Sequence, residues 1–268
     1  MGIKNYEIRI GDLRFDSISF GSGQKDLVII PGLGDGLSTV KGKAWAGRVI
    51  FRKCARKYRV TVISRRRDLQ PGATTGSMAK DQALAMEALG IRKAHVVGIS
   101  QGGMIAQHLA ADHPEMVDRL VLAVSAPSCS ELARENISRW VGFAKMGSYL
   151  GLIIDTTEKA HPEKYLRRIR PLYPYLGSMA KKMDVSRFCI MAGACLSHNT
   201  QEKLDKITAP TLVIGGGADR TLGVDGSHQL HRLIDGSILK IYEDQGHALS
   251  EDEPDFYKTV LSFLQAED

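Results

Sequence analysis

The amino-acid sequence predicts an α/β fold in which a mostly parallel sheet has helices on both faces. Apolar runs typical of buried strands alternate with helical patterns over residues 1–125, and the same alternation returns over residues 206–268. Between these stretches, residues 126–205 carry helical patterns broken by Pro and Gly, without a convincing strand. We therefore expect a core built from the first and last segments, with an inserted helical cap between them.

Eight apolar runs predict the strands of the sheet. They lie at residues 6–10, 13–20, 27–30, 59–64, 94–99, 119–125, 209–217 and 237–244. The first two are close enough in sequence to form a hairpin, whereas helical patterns separate most of the later strands. Those helical patterns lie at residues 46–58, 78–89, 102–112, 131–146, 162–170, 224–234 and 255–265. In such a sheet, ligands are expected at the carboxyl ends of the parallel strands.

The composition is typical of a globular protein. The chain has 268 residues, of which 43% are hydrophobic and 25% charged, so it is long enough to bury a sizeable core. The opening residues, MGIKNYEIRI, lack the apolar core of a signal peptide, and no apolar stretch approaches the roughly 20 residues of a membrane span. We expect a cytoplasmic protein with no membrane span.

The formal net charge is +6, and basic residues cluster at 51–59, 64–68, 164–170 and 181–182. No aromatic-interleaved strand or recognition motif accompanies these clusters, so solvated helix faces explain them better than a nucleic-acid partner does. The cluster at 164–170 leaves open an acidic acyl-carrier protein as a partner.

Cysteine and histidine spacing argue against a metal site. Cys54, Cys129, Cys189 and Cys195 have neither the density of a disulfide scaffold nor C-x-x-C spacing, so we expect reduced, structural thiols. The histidines do not form an H-E-x-x-H pattern. We expect neither a metal nor an organic cofactor.

The most informative motif is G-x-S-x-G at residues 98–102, between a predicted strand and a predicted helix. The turn is so tight that the positions two before and two after the serine must lack bulky side chains, and Gly98 and Gly102 meet that demand. Ser100 would then stand above the sheet edge, at a helix N-terminus that favours developing negative charge. The alternative is a glycine-rich turn with a capping serine.

A serine nucleophile requires a base and an orienting carboxylate. Asp219 follows the strand at 209–217, and His247 follows the last strand, so both would project from the same edge as Ser100. The order Ser, Asp, His is the one expected for a G-x-S-x-G nucleophile.

Other acidic and histidine residues fit these two roles less well. Asp225 is expected to begin a helix, and His228 and His231 fall inside that helix, away from loop positions. The remaining candidates, His95, His108 and His113, adjoin the nucleophile strand and the following helix and are interpreted as structural.

An oxyanion hole needs two backbone N–H donors. Gln101, directly after the serine, supplies the first. The glycine-rich loop at 31–36 follows the strand at 27–30, and Leu33 is the expected second donor, although a plain glycine turn is the alternative.

The chain resembles the α/β-hydrolase superfamily, most closely its capped carboxylesterases and enol-lactonases of the 3-oxoadipate type. The residues that carry the resemblance are PGLG (31–34), GISQGG (98–103), APTLVIGGGAD (209–219) and the histidine loop with its closing helix (246–264). It implies the α/β-hydrolase fold and hydrolysis of a small carboxylic ester or lactone, without a cofactor. Relatives that cleave carbon–halogen bonds or epoxides carry aspartate at the nucleophile position, so they are excluded.

The sequence departs from the family at two places and leaves several functions open. Pro31 stands where many relatives have histidine, and Arg65, Arg66 and Arg67 replace an acidic-glycine loop. We expect these arginines at the surface or against the cap, in preference to an anionic substrate. A non-hydrolytic lyase, a perhydrolase, a ligand receptor and a carrier-protein ester or thioester hydrolase remain alternatives.

The predicted cap contains apolar residues at helical spacing. They are Trp140, Phe143, Met146, Tyr149 and Leu150. We expect them to pack the interior of the cap rather than to contact a ligand.

Overall fold

The computed structural model of the chain describes residues 2–176 and 185–266, and Lys181 and Lys182 of one basic cluster lie outside these ranges. Its centre is one sheet of eight strands. In chain order these are β1 (Lys4–Ile10), β2 (Leu13–Phe20), β3 (Asp26–Ile30), β4 (Arg59–Ile63), β5 (Ala94–Ile99), β6 (Val117–Ala123), β7 (Thr211–Gly216) and β8 (Ile238–Tyr242). Across the sheet the order is β1-β2-β4-β3-β5-β6-β7-β8. The β1–β2 and β2–β4 pairs are antiparallel and the others are parallel, so the predicted sheet is confirmed.

Twelve helices lie in the described residues. They are α1 (Ala44–Ile50), α2 (Arg52–Ala55), α3 (Thr75–Ala88), α4 (Gln101–Asp112), α5 (Glu131–Lys145), α6 (Tyr149–Ala160), α7 (Glu163–Ile169), α8 (Tyr173–Leu176), α9 (Ser186–Leu196), α10 (Asp225–Leu233), α11 (Leu249–Asp252) and α12 (Phe256–Leu264). Adjacent residues of a strand point to opposite faces of the sheet. Accordingly, Ile30 of β3 packs in a cluster with Met78 of α3 and Ile105 of α4, whereas Ile29 packs in one with Phe256 of α12. Helices therefore cover both faces, as predicted.

The helix predicted over residues 46–58 is wrong as a single element. Two short helices, α1 and α2, replace it, with a break at Phe51, whose ψ of 25° lies outside the helical range. The break turns the Phe51 ring against Phe20 and Tyr257, at centroid distances of 6.2 and 5.5 Å. Aromatic packing between α1–α2, β2 and α12 thus outweighs continuous helical hydrogen bonding.

The strand predicted over residues 119–125 ends earlier, at Ala123, because Val124 adopts the left-handed region with φ 44°.

Helix α3 begins three residues before its predicted start. Thr74 caps it, since the Ser77 N–H donates to Thr74 Oγ1 (3.1 Å) and Ser77 Oγ accepts from the Thr74 N–H (2.9 Å). The other predicted boundaries agree within one or two residues.

The described part of residues 126–205 contains α5 to α9, and its only extended pairing is the isolated bridge between Ser128 and Asn199. Helices α5, α6 and α9 share an apolar cluster that includes Trp140 and Phe188. The sequence patterns did not identify α6 and α9, which have 12 and 11 residues.

Two further observations concern membrane and redox chemistry. Within residues 2–176 and 185–266, no helix combines the length and apolar character that crossing a bilayer requires. All four cysteines are free thiols, as predicted, and Cys54 and Cys195 are buried.

The turn from β5 into α4 brings the backbones of β5, α4 and β3 into contact. A Cβ placed on Gly98 would lie 2.5 Å from the carbonyl oxygen of Gly102, and one on Gly103 would lie 2.6 Å from Ser125. A Cβ on Gly102 would overlap the carbonyl of Ile30 on β3. Only glycine fits these positions, as the motif predicts.

A buried histidine ties the end of the α9 segment to the core. The Nδ1 atom of His198 lies 2.9 Å from Thr75 Oγ1, and its Nε2 atom lies 3.2 Å from the carbonyl oxygen of Ala126. Because a carbonyl only accepts, Nε2 carries the proton of a neutral ring and Nδ1 accepts from the threonine hydroxyl. Burial, with a smaller contribution from the charge of His108, lowers the pKa of His198 to about 3.

Gly102→Ala and Gly193→Ala are expected to change stability in opposite directions, although both glycines lie in helices. The first substitution should lower the free energy of unfolding by about 3 kcal/mol, because the methyl group overlaps backbone that cannot move. At Gly193 nothing lies within 4 Å of an added Cβ, so alanine should raise the free energy by up to about 1 kcal/mol. Urea unfolding measures both. Equal effects would contradict the close contact at the turn.

His198 should make the fold sensitive to mild acid. Its pKa is depressed in the folded state, so between its ordinary value of 6.5 and about 3 the unfolded chain binds the additional proton. The free energy of unfolding should therefore fall below pH 6.5, by up to about 1.4 kcal/mol per pH unit from this residue. His198→Gln should flatten the slope in urea unfolding between pH 7 and 5. His113→Gln, at a partly exposed site, is the control; matching slopes in both variants would refute the assignment.

Candidate active site

Ser100 occupies the turn between β5 and α4 in a strained backbone conformation. Its φ of 55° and ψ of −120° are rare for a residue with a side chain, and such strain concentrates at functional sites. The side chain makes no capping hydrogen bond to α4. The capping-serine alternative therefore lacks support, and the Oγ atom contacts His247 instead, at 2.8 Å from Nε2.

His247 and Asp219 complete a hydrogen-bonded relay with Ser100. The Nδ1 atom of His247 lies 2.7 Å from Asp219 Oδ2. The other carboxylate oxygen of Asp219 accepts the N–H groups of Thr221 (2.7 Å) and Leu222 (3.0 Å). The structure thus brings together the three residues that the sequence analysis selected as nucleophile, acid and base.

The loops after β7 and β8 hold this geometry through their backbones. The Gly217 N–H donates to the carbonyl of Tyr242, and the Ala218 N–H donates to that of Gln245, both at 2.9 Å. A Cβ on Gly216 would come within 2.5 Å of the Gln245 carbonyl oxygen. The close approach of the two loops explains why glycines precede Asp219.

The carboxylate of Asp219 is suited to remain ionised. Burial acts to raise its pKa, but the charge of His247 and the hydrogen bonds from His247, Leu222 and Thr221 outweigh burial, and the pKa lies below its ordinary value. An ionised carboxylate accepts a hydrogen bond from the Nδ1–H group of the imidazole. The Nε2 lone pair then faces the hydroxyl of Ser100, as a general base requires.

The predicted oxyanion donors lie on either side of the serine. Leu33 is the first residue of a short 3-10 helix (Leu33–Gly36), and Gln101 is the first residue of α4, so neither N–H has an acceptor within its own helix. Gly32 brings the loop within van der Waals distance of Ser100, because its Cβ position lies 3.4 Å from the serine Cβ. The Gln101 side chain points away from the cavity, and its Nε2 donates to the Met191 carbonyl at 2.6 Å.

Arg65 corrects the expectation that the arginines at 65–67 lie at the surface. It is 1% exposed, and its Nη2 donates to the carbonyl oxygens of Pro31 and Gly32 and, at 3.0 Å, to Gln101 Oε1. Burial lowers the pKa of Arg65 to about 10, although the nearby carboxylate of Asp35 opposes this shift. A guanidinium therefore lies directly behind the loop that carries Leu33.

Arg66 and Arg67 remain closer to the surface. Arg66 pairs with Asp81 at 3.5 Å, and Arg67 pairs with Glu7 at 2.8 Å and also with Asp16. These contacts join the loop after β4 to α3 and to the β1–β2 hairpin rather than to the candidate site.

Asp35 links the same loop to the inserted helices. Its Oδ2 accepts from the Arg65 N–H (3.0 Å) and from Arg187 Nη2 at the start of α9 (2.6 Å). Arg187 also donates to the carbonyl oxygens of Arg65 (2.7 Å) and Arg66 (3.1 Å). Through these contacts the backbone of residues 65 and 66 is joined to α9. The buried Arg65 and the partly buried Arg187 thus share one carboxylate, so the two cations outnumber their acidic partner.

A cavity of about 460 Å³ opens onto Ser100 and His247, and Leu33 lines it together with apolar residues of the inserted helices. Among the cap residues considered above, Trp140 lines the cavity, contrary to the expectation of interior packing alone, and its Nε1 donates to Asp155 Oδ2 at 2.8 Å. Met146 is 74% exposed beyond the end of α5, so its expected packing is wrong. Phe143 packs against the apolar cluster that α5, α6 and α9 share. Tyr149 and Leu150 are half-buried.

The competing residues lie elsewhere in the described structure. Asp225 begins α10, which contains His228 and His231, as predicted. His95 is buried beside Asp118, and the imidazole of His108 packs against that of His198. Neither these residues nor His113 line the cavity.

One pair at the site was missed by the sequence analysis. His161 lines the cavity, and its Nδ1 lies 2.8 Å from Asp252 Oδ2. Although Asp252 lies in an acidic stretch after His247, its side chain is only 8% exposed. No local pattern joins two residues that are 91 positions apart in the chain.

Comparisons with known proteins agree with the fold. A family model for the alpha/beta hydrolase fold matches residues 26–150. The chain is 28% identical over 182 residues to monoacylglycerol lipase abhd6-A of Xenopus laevis, covering 63% of this chain and 54% of that protein. It is 25% identical to 2-hydroxy-6-oxononadienedioate/2-hydroxy-6-oxononatrienedioate hydrolase of a Pseudomonas species, covering 91% and 89% of the two chains. Of the two, the lipase is the longer protein, and this chain spans about half of its length.

The crystal structure of the enol-lactonase from Burkholderia xenovorans LB400 is similar in three dimensions, with a TM-score of 0.82 at 19% identity over 97% of this chain and 100% of that one. Such a similarity extends the fold match beyond residue 150, through the inserted helices and the last strands. The family match over residues 26–150, the sheet order and the strand-turn-helix around Ser100 lead to one conclusion: the chain has the α/β-hydrolase fold.

Proposed function

We propose that the protein is a serine hydrolase that cleaves a small carboxylic ester or lactone through an acyl-enzyme. The observation that carries this proposal is the continuous relay from Ser100 through His247 to Asp219 at the wall of a cavity. A glycine-rich turn without a catalytic role would not require a strained serine aligned with an imidazole that a buried carboxylate holds.

The relay supports a two-step reaction. His247 Nε2 takes the hydroxyl proton as Ser100 Oγ attacks the carbonyl carbon, and the Leu33 and Gln101 N–H groups stabilise the oxyanion. The imidazolium then donates that proton to the leaving oxygen as the carbon–oxygen bond breaks. Water, deprotonated by the same imidazole, attacks the acyl-enzyme, and collapse of the second tetrahedral intermediate returns the proton to Ser100 and releases the acid.

The cavity favours a small, mostly apolar substrate. Its walls include Met104, Ile137, Trp140 and Phe188, and its volume of about 460 Å³ lies in the range of small-molecule sites. We propose that residues 126–205 act as a cap that shapes this cavity. His161, held by Asp252, is a polar residue of the cavity wall that would orient a hydroxyl or carbonyl of the substrate.

Arg65 fits the role of a positioning residue for the oxyanion hole. The carbonyl of Gly32 and the N–H of Leu33 belong to one peptide group, so a cation that donates to this carbonyl (3.3 Å) increases the polarity of the N–H. The same Nη2 holds the Gln101 side chain. Arg65 thus contacts the peptide group that contains the Leu33 N–H and the side chain of Gln101, without lining the cavity.

Ser100→Ala should reduce hydrolysis of p-nitrophenyl esters to background, a loss of about 10⁶-fold, because it removes the hydroxyl that lies 2.8 Å from His247 Nε2. Asp219→Asn should lower kcat by about 10⁴-fold while leaving the fold intact, because the amide selects the wrong imidazole tautomer. Asp225→Asn, in α10, is the matched control and should keep full activity. Turnover by Ser100→Ala, or an inert wild type across short and medium acyl chains and lactones, would rule out the proposed reaction and direct testing to cyanohydrin cleavage.

Arg65→Met should lower kcat by about tenfold with little change in KM, because oxyanion stabilisation acts mainly on the transition state. Affinity for an alkyl boronic acid, which forms a tetrahedral adduct with serine, should fall by a similar factor. Arg65→Lys retains the charge and should recover part of both. Thermal unfolding of each variant separates this effect from lost stability. A purely structural role predicts lower stability with unchanged kcat and boronate affinity in the fraction that remains folded.

A further inference from the structure

Helix α1 places its small residues inward and its large apolar residues outward. Ala44 and Gly47 are buried against the sheet, and a Cβ on Gly47 would come within 2.8 Å of Ile18 and Phe20. In contrast, Trp45 is 71%, Val49 47% and Ile50 58% exposed. A helix that serves only the core turns its large apolar side chains inward, so this outward group requires a separate explanation.

The same segment is strongly and uniformly basic. Residues 41–59 contain no acidic residue and eight basic ones, which are Lys41, Lys43, Arg48, Arg52, Lys53, Arg56, Lys57 and Arg59. Six of these are exposed, the exceptions being Lys53, which donates to the Pro254 carbonyl, and Arg59, which pairs with Asp26. The charge of this segment exceeds the whole-chain formal charge of +6. Basic residues therefore flank the exposed apolar residues on both sides in the sequence.

This surface adjoins the candidate active site. A groove of about 820 Å³ lies between α1–α2 and the residues around Pro254. Five residues of its wall also line the catalytic cavity, namely Pro31, Gly32, Ile99, Ser250 and Glu251. Whatever binds along α1 and α2 therefore lies against the wall of the cavity.

We propose that the α1–α2 face binds the surface of a lipid bilayer that contains anionic phospholipid. We define this face as Lys41, Lys43, Trp45, Arg48, Val49, Ile50, Arg52, Arg56 and Lys57. Trp45, Val49 and Ile50 enter the boundary between headgroups and acyl chains, where tryptophan is favoured, while the flanking cations contact lipid phosphates. An acidic protein would complement the charge, but the bilayer also accounts for three adjacent exposed apolar side chains.

Sedimentation with large vesicles tests the proposal. Wild type should bind vesicles of phosphatidylcholine with phosphatidylserine at least tenfold more tightly than phosphatidylcholine alone, and added salt should weaken the binding. Replacing Arg48, Arg52 and Arg56 by Gln should reduce binding by about 100-fold, because each cation near an anionic surface contributes a factor of about five. The matched control replaces Lys164, Arg167 and Arg168 by Gln, which removes the same charge from α7 and should leave binding unchanged.

The apolar contribution has its own variant and control. Trp45→Ser should weaken vesicle binding by at least tenfold, whereas Met146→Ser, at an equally exposed site on another surface, should not. Emission of the wild type should shift to shorter wavelength on anionic vesicles. Trp45→Phe should abolish that shift, because the remaining Trp140 is already buried.

Several results would overturn the proposal. These are equal binding to neutral and anionic vesicles, α1–α2 variants that bind like the wild type, or wild type that remains in the supernatant. Loss of a dimer on Trp45→Ser, without vesicle binding, would instead assign the face to a second copy of the chain. Binding to polyglutamate alone would assign it to an acidic protein. Hydrolysis of a soluble ester is measured in parallel and should be equal in all α1–α2 variants, so failure of the catalytic proposal is recognised separately from failure of membrane binding.

Discussion

The strained turn at Ser100 is the constraint on which the rest of the site depends. The backbone can adopt this conformation because Gly98 and Gly102 permit contact with neighbouring backbone, and because the Ser100 N–H donates to the carbonyl of Ala123 on β6 (2.9 Å). Val124, at the end of that neighbouring strand, is also left-handed, and its N–H donates to the carbonyl of Ile214 on β7 (2.8 Å). Hydrogen bonds between adjacent parallel strands thus offset the strain at two consecutive strand ends.

A second constraint is electrostatic, and it connects the loop after β3 to the inserted helices. Asp35 is almost completely buried and accepts from both Arg65 and Arg187, while Arg65 uses three oxygen acceptors in the layer behind Ser100. Only the carbonyl group of Pro31 takes part in this arrangement. The absence of an N–H group from proline therefore removes no hydrogen bond. Proline in place of the histidine expected from the resemblance is therefore compatible with an ordered loop at 31–36, whose carbonyl groups Arg65 holds.

The sequence predicts the sheet, both helical layers and the three relay residues because these depend on local signals. Strand periodicity and the G-x-S-x-G turn place Ser100, and the ends of β7 and β8 place Asp219 and His247 on the same edge. The remaining features depend on contacts between distant segments. Nothing near Arg65 in the sequence distinguishes it from Arg66 and Arg67, although only Arg65 is fully buried. His161 acquires its partner, Asp252, only when α6 and α11 come together.

Helix α1 combines these local and distant requirements. Its close approach to β2 depends on Gly47, because any larger residue would collide with Ile18 and Phe20. That approach leaves no space beneath the helix for Trp45 or Val49, which are exposed. Burying them would require the helix to move away from the sheet. Such a movement would disturb the packing of Phe51 on Phe20 and Tyr257. The exposed apolar group is therefore a consequence of how tightly the helix is seated, and residues 41–59 provide six exposed cations and no acidic residue. An anionic bilayer satisfies both properties without any change in the core.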